Sequence, residues 1–212
     1  MTLSGNPPPA GAGELSPADR EVIRQGIEGK YAQVAQGPAG HFAYPTGRPG
    51  LEGQGYSPEL LAFLPPTVAG SYCGVGNPFA LGPVEPGEEV LDVGCGAGVD
   101  TILAAHMAGP AGRAVGLDLS PDMLAAAQAN ARAVGLANVG FQRAGADDLP
   151  FPDASFDLVI SNGVFNLTAD KARALAEVFR VLKPGGRLQI ADQVARGPVE
   201  KSLKERVATW FQ

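Results

Sequence analysis

Leu91-Asp92-Val93-Gly94-Cys95-Gly96-Ala97-Gly98 places three alternate glycines directly after an apolar run. The run itself, Glu89 to Val93, suits a buried parallel strand, and Val99 to Ala108 suits a helix that stops at Gly109-Pro110. The glycines therefore fall in a strand-to-helix turn, where they permit a tight bend and let a ligand approach the backbone closely. Toward the C-terminus the alternation repeats. Arg113 to Leu119 reads as a second strand, and Ser120-Pro121 starts a helix carrying Met123, Leu124, Ala127, Ala131 and Val134 before Gly135 closes it. Val139 to Arg143 and Phe156 to Ser161 read as the third and fourth strands. Thr168 is expected to cap a helix with Leu175, Phe179 and Leu182 on one face, followed by a fifth strand, Arg187 to Asp192, and a last helix, Val199 to Phe211. Strands alternating with helices imply an α/β fold, a mostly parallel sheet with right-handed crossovers.

Upstream of the turn the chain changes character. Residues 1–15, with Pro7-Pro8-Pro9 and several glycines, have too little apolar surface to offset their ordering entropy and are expected to form a disordered tail. Residues 16–82 read as a helical and loop cap. Ser16-Pro17 starts a helix with Val22, Ile23, Ile27 and Tyr31 at helical spacing, Gly37 to Gly55 reads as an ordered loop, and a short helix from Ser57 to Leu64 ends at Pro65-Pro66. Residues 83–212 form the domain built on the glycine turn. From chain order, the cap is expected to cover the ligand left open at the strand ends, and its removal to reduce turnover more than folding.

Composition narrows the class of partner. The 212 residues carry 16 Lys plus Arg against 22 Asp plus Glu, a net charge of −6 with no basic run, which argues against nucleic acid. A hydrophobic fraction of 45% supports a real core. No apolar run approaches the roughly 20 residues that span a bilayer, and the first residues lack the parts of a secretory signal, so a cytoplasmic protein with no membrane partner is expected. Cys73 and Cys95 are read as free thiols. The oligomeric state stays open.

The chemistry is carried by the acids around the turn. The spacing G-x-G-x-G lacks the last glycine of the dinucleotide fingerprint, with Val99 in its place. Asp92 and Asp100 would oppose an anionic pyrophosphate, whereas S-adenosylmethionine brings an ammonium and a sulfonium and no phosphate. Asp118 lies 20 positions beyond Gly98 at a strand end, from which a carboxylate can accept both hydroxyls of a ribose. An NAD(P)-dependent oxidoreductase shares that last need but not the first.

These segments, with Gly116-Leu117-Asp118-Leu119-Ser120-Pro121, Leu149-Pro150-Phe151 ahead of Phe156-Asp157-Leu158-Val159, and Phe179-Arg180-Val181-Leu182-Lys183-Pro184-Gly185-Gly186, resemble the class I S-adenosylmethionine-dependent methyltransferases. More narrowly, Pro45-Thr46-Gly47, Gly55-Tyr56, Gly74-Val75-Gly76-Asn77-Pro78 and Ile160-Ser161-Asn162-Gly163-Val164-Phe165-Asn166-Leu167 resemble the arsenite methyltransferases and their relatives, over roughly residues 30 to 212. The resemblance implies a Rossmann-like three-layer αβα sandwich, here stopping before the family's last two strands, as a truncated product would. It implies S-adenosylmethionine as cofactor, a small-molecule methyl acceptor and no resident metal. Gly94, Cys95, Gly96 and Gly98 would form the turn beneath the methionine part, with Asp92 facing its amino group. Asp118 would hold the ribose, Met123 or Leu119 would lie against the adenine, and Ala146 and Asp147 would contact its edge. Ser161 and Asn162 would border the methyl group and substrate.

Trivalent arsenic is soft and thiophilic, and needs thiolates in place. Where the arsenite-converting relatives carry two of their cysteines, this chain has Val75 and Gly163, and Cys73 is offset by two residues. The acceptor is therefore open between arsenite and other small molecules, with a cofactor-binding module lacking turnover as a further alternative. The catalytic group is not identified by sequence; Asn162, His41 and Cys73 are the candidates. Tyr31, Tyr44, Tyr56 and Tyr72 could shape the pocket or accept a proton, and read better as aromatic packing of a lid.

Overall fold

The computed structural model describes residues 15–194 and Glu205. The expected tail and the expected last helix, Val199 to Phe211, lie outside the described residues apart from Leu15 and Glu205. Seven α-helices and one 3₁₀ turn are described, with five strands. In chain order they are α1 (Pro17–Val34), α2 (Gly47–Gly53), α3 (Pro58–Phe63), α4 (Pro66–Gly70), the 3₁₀ turn (Pro78–Leu81), β1 (Glu89–Val93), α5 (Val99–Ala108), β2 (Arg113–Asp118), α6 (Pro121–Val134), β3 (Val139–Arg143), β4 (Phe156–Asn162), α7 (Lys171–Val181) and β5 (Leu182–Ala191).

The strands form one sheet in the order β3-β2-β1-β4-β5, every neighbouring pair parallel. The order reverses beside β1, which is where an open parallel sheet leaves a crevice at its carboxyl ends. Period-two alternation sorts the strand residues. Leu91, Val93, Val115, Leu117 and Val159 pack with Ala174, Val178 and Val181 of α7, while Val90, Ala114, Leu158 and Ile160 pack with Ala104, Ala105 and Ala108 of α5. Helices on both faces make the three layers. Asp92 shares a face with Val90 and so looks toward α5, whose Thr101 Oγ1 donates to Asp92 Oδ2 at 2.6 Å.

Several local expectations change. The stretch Gly37 to Gly55 is not loop throughout: α2 forms inside it because Thr46 precedes it in extended geometry and Leu51 is fully buried. Pro65-Pro66 ends α3 but also starts α4, proline being acceptable at a first helical position. The cap of α7 is Asp170, which accepts from the Arg173 N–H at 3.0 Å, whereas the Thr168 hydroxyl donates to the Val164 carbonyl. The buried stripe of α7 is Ala174, Val178 and Val181; Leu175 and Phe179 share a face that is 44% and 82% exposed. Strand β5 begins at Leu182 instead of Arg187, and a register shift opposite Phe156 and Leu158 accommodates the Gly185-Gly186 pair.

The cap is not a detachable cover. Leu51, Tyr56, Leu61, Leu64, Val68, Ala69 and Tyr72 share one core with Val99, Ile102 and Leu103 of α5 and Ala131 of α6. Removing residues up to 82 would bare that core, so deletion is expected to cost folding as well as turnover.

Candidate functional site

The glycine turn bends back over the end of β1 with all three glycines at positive φ: Gly94 at 75°, Gly96 at 52° and Gly98 at 80°. Two of them are required by neighbours as well as by backbone conformation. A Cβ on Gly94 would run into the Val164 methyls, and one on Gly98 would sit 2.9 Å from Ala127 Cβ and from the Phe141 ring. Gly96 differs, since a Cβ there would meet nothing within 4 Å. It faces an open cleft of about 420 Å³.

The turn is held by its backbone. The Cys95 N–H donates to the Leu117 carbonyl at 2.7 Å, and the Gly96 N–H donates to Asp118 Oδ2 at 2.9 Å. Asp118 Oδ1 also accepts from the Ser120 N–H at 2.8 Å. Asp118 thus staples the turn to the start of α6, and each carboxylate oxygen keeps a lone pair for a further donor from the cleft. Asp92, Asp100 and Asp118 all reach this cleft. Burial raises the affinity of all three carboxylates for a proton, most strongly at Asp92, where the Asp100 charge adds to it; the hydrogen bonds to Asp100 and Asp118 act in the other direction. A cation entering here would relieve that cost. The fit to S-adenosylmethionine is therefore twofold: an open cradle at Gly96 that any side chain would fill, and buried acids whose hydrogen-bond partners are neutral donors.

At the far end of β4, Asn162 lines the same cleft and sits among side chains from the cap. Tyr56 donates to Asp100 Oδ1 at 2.6 Å, Asn162 Nδ2 donates to Asp100 Oδ2 at 2.9 Å, and the Tyr72 hydroxyl donates to Gln54 Oε1. Sequence reasoning preferred aromatic packing for these tyrosines over a part in shaping the pocket, and did not join them to Asp100 and Asn162. The available signal was that a buried tyrosine hydroxyl needs a partner, and Asp100, in the first turn of α5, is within reach. Within the cap, α1 supplies Ile23, Ile27 and Tyr31 to the cleft lining.

The expected site residues divide. Asp92, Gly94, Cys95, Gly96, Asp118, Leu119, Ala146, Asp147 and Asn162 line the cleft. Gly98 stands behind it as the left-handed N-cap of α5. Met123 does not reach it, being fully buried against Val34 and Ala97, and Leu119 takes the neighbouring wall position. Ser161 is fully buried as well, its hydroxyl donating to the Val93 carbonyl at 2.9 Å, so it fastens β4 to β1 instead of facing a ligand. His41 is exposed and away from the cleft, and His106 stacks on Phe63 with ring centres 3.7 Å apart. Cys73 lines the cleft; burial and the Asp118 and Asp100 charges push its thiol up to about 12. Val75 and Gly163 meet: a Cβ on Gly163 would lie 3.3 Å from both Val75 methyl carbons. No group of three or more His, Cys, Asp or Glu side chains suited to a metal ion occurs among the described residues.

Comparison with known proteins agrees with this architecture. A family model described as a methyltransferase domain matches residues 84–212. The chain is 36% identical over 194 residues to an arsenite methyltransferase of Halobacterium salinarum, covering 85% of this chain and 49% of the relative. It is 41% identical over 111 residues to the ubiquinone/menaquinone biosynthesis C-methyltransferase UbiE of Pasteurella multocida, covering 51% of this chain and 41% of that one. Among solved structures, an arsenic(III) S-adenosylmethionine methyltransferase from Chlamydomonas reinhardtii is similar with a TM-score of 0.59 and 37% identity, over 65% of this chain and 50% of the other. A methyltransferase from Aquifex aeolicus described as S-adenosylmethionine-dependent is similar with a TM-score of 0.51 and 28% identity, over 57% and 69%. The chain spans about half the length of the curated relatives it matches. No helix among the described residues is long and apolar enough to cross a membrane.

Proposed function

Since the chain belongs to the class I S-adenosylmethionine-dependent methyltransferase family, we propose that it methylates a small organic acceptor. The observation that carries this reading is the open cradle at Gly96, flanked by the buried carboxylates Asp92 and Asp118. When bound, S-adenosylmethionine supplies an electrophilic methyl on a cationic sulfur, with a neutral thioether as leaving group. The residues that would hold it are Gly94, Gly96, Asp92, Asp118 and Leu119, with Ala146 and Asp147 at the adenine edge.

The remaining task for the protein is orientation and exclusion of water, since no departing anion has to be stabilised. A cation entering the cleft would favour ionisation of all three acids, which burial otherwise disfavours, and their negative field suits such a ligand. Their oxygens already accept from Thr101, from Tyr56 and Asn162, and from Gly96 and Ser120, so they are fixed in place. Two of the other titratable groups at the wall stay protonated: burial raises Tyr31 far above the ordinary phenol range, and the Cys73 thiol is up to about 12. Neither takes a proton at neutral pH. This supports an acceptor that attacks through a soft lone pair or an activated carbon, without an enzyme base.

Arsenite is the second reading. It is favoured by Cys73 at the cleft wall and by the relatives that bear that name, and opposed by the Val75 isopropyl group lying against Gly163, where no thiol is available. The test is incubation with methyl-labelled S-adenosylmethionine, in parallel with a panel of small organic nucleophiles and with arsenite plus a small thiol. Label in an organic product together with S-adenosylhomocysteine is expected. Labelled methylarsenic alone would transfer the assignment to arsenite, and absence of S-adenosylhomocysteine in every arm would sink the enzymatic reading.

A further inference from the structure

Asn162 closes β4 at the cleft wall, and all its hydrogen-bonding positions are taken by the protein. Its Oδ1 accepts from the backbone N–H groups of Val75 at 2.8 Å and Gly76 at 3.1 Å. Its amide nitrogen carries two hydrogens, and the shortest acceptors are the Gly76 carbonyl at 2.7 Å and Asp100 Oδ2 at 2.9 Å. An acceptor molecule entering the cleft finds no spare donor on this side chain. The segment 74–76 approaches so closely that a Cβ on Gly74 would run into the Asn162 amide and come 2.5 Å from the Tyr72 hydroxyl.

The partners come from three parts of the chain. Tyr56, Tyr72 and Gly76 belong to the cap, Asp100 to the first turn of the helix that follows the glycine turn, and Asn162 to the end of β4, the strand beside β1. Cys73 and Gly74, which form part of the cleft wall, are joined directly to the segment that Asn162 holds. Displacing that segment would therefore displace part of the cleft wall.

We propose that Asn162 is a positioning residue, a latch that ties the 74–76 segment of the cap to Asp100 and so sets how long the cofactor stays in the cleft. The proposal rests on the reading of the cleft as an S-adenosylmethionine site. It assigns Asn162 a task different from bordering the substrate, because its polar atoms are spent on the cap and on Asp100. Loss of the latch acts on departure of the ligand: the Gly96 cradle and Asp118, which receive it, are untouched.

The test uses S-adenosylhomocysteine as probe, with Asn162→Leu removing the polar atoms while keeping the branching at Cγ and Asn162→Asp keeping an acceptor for Val75 and Gly76 while turning a carboxylate on Asp100. For Asn162→Leu the dissociation rate is expected to rise about tenfold or more, with the association rate little changed. Hydrogen exchange at Val75 and Gly76 should accelerate in the ligand-free protein, while amides of β1 stay protected. Asn162→Asp should act in the same direction, and adding Asp100→Asn, which restores a donor to the pair, should recover part of the loss. Wild-type binding with unchanged rates and unchanged exchange in folded Asn162→Leu or Asn162→Asp overturns the latch alone. A wild type that binds no S-adenosylhomocysteine overturns the reading of the cleft, and the latch with it.

Discussion

Replacing Gly96 by alanine separates ligand binding from folding more cleanly than any other change at the turn. The backbone at Gly96 has φ 52°, so alanine there adopts a left-handed conformation that costs about 1–2 kcal/mol. Its Cβ meets no protein atom within 4 Å, so no packing penalty is added. For a chain of this length the expected fall in Tm is about 2–8 °C. The same methyl group enters the cleft where the ligand must approach the backbone. Overpacking of that kind costs about 1–3 kcal/mol, or about a 5- to 150-fold loss of affinity. Gly94→Ala is the control. It carries the same backbone cost at φ 75° and also drives a methyl into Val164, so its stability loss should reach about 2–5 kcal/mol. Denaturant unfolding and calorimetric titration with S-adenosylhomocysteine read the two quantities separately. If Gly96→Ala binds as tightly as the wild type, or loses as much stability as Gly94→Ala, the reasoning is refuted.

Three further outcomes follow from the same geometry. Asp118→Ala leaves the Gly96 and Ser120 N–H groups without their acceptor, and should lose about 1–3 kcal/mol of stability together with most of the affinity for S-adenosylhomocysteine; undiminished affinity by calorimetry would contradict the role of this carboxylate. Burial raises the pKa of Asp92 and Asp100 above the ordinary value of about 4, so the folded ligand-free protein binds more protons than the unfolded chain and its Tm should fall as pH rises from about 4 toward neutrality. Asp92→Asn should flatten that slope in a series of thermal melts, and an equal slope in both proteins would count against the burial of this charge. Because positions 75 and 163 face each other, the double variant Val75→Cys with Gly163→Cys should gain affinity for a trivalent arsenical, measured by titration against the wild type, and a folded variant with wild-type affinity would contradict the facing of these positions.

The sheet was legible because its signals are local. The apolar run before Gly94, the Ser120-Pro121 and Gly135 punctuation around α6 and the returning strand at Phe156 each mark an element without reference to the rest of the chain. The exposed side of α7 was less so. Leu175 and Phe179 stand at helical spacing like a core stripe, yet small residues, Ala174 and Val178, make the contact with the sheet. Asp92, Asp118 and Leu119 could be placed at the cleft because strand ends beside a glycine turn fix where side chains go. Met123 could not be distinguished from Leu119, since both follow β2 and only the rotation of α6 sends one into the core. The same limit hid the union of Asn162 with Tyr56 and Asp100. Those residues are 106 and 62 positions away in sequence, and only the packing of the cap on α5 joins them.

The most direct test of the account is equilibrium titration of the whole chain with S-adenosylhomocysteine, run beside NAD under the same conditions. Saturable binding of S-adenosylhomocysteine that is lost in Asp118→Ala, with no binding of NAD, is the predicted result. Binding of NAD instead, or no heat with either ligand, would contradict the assignment of the cleft.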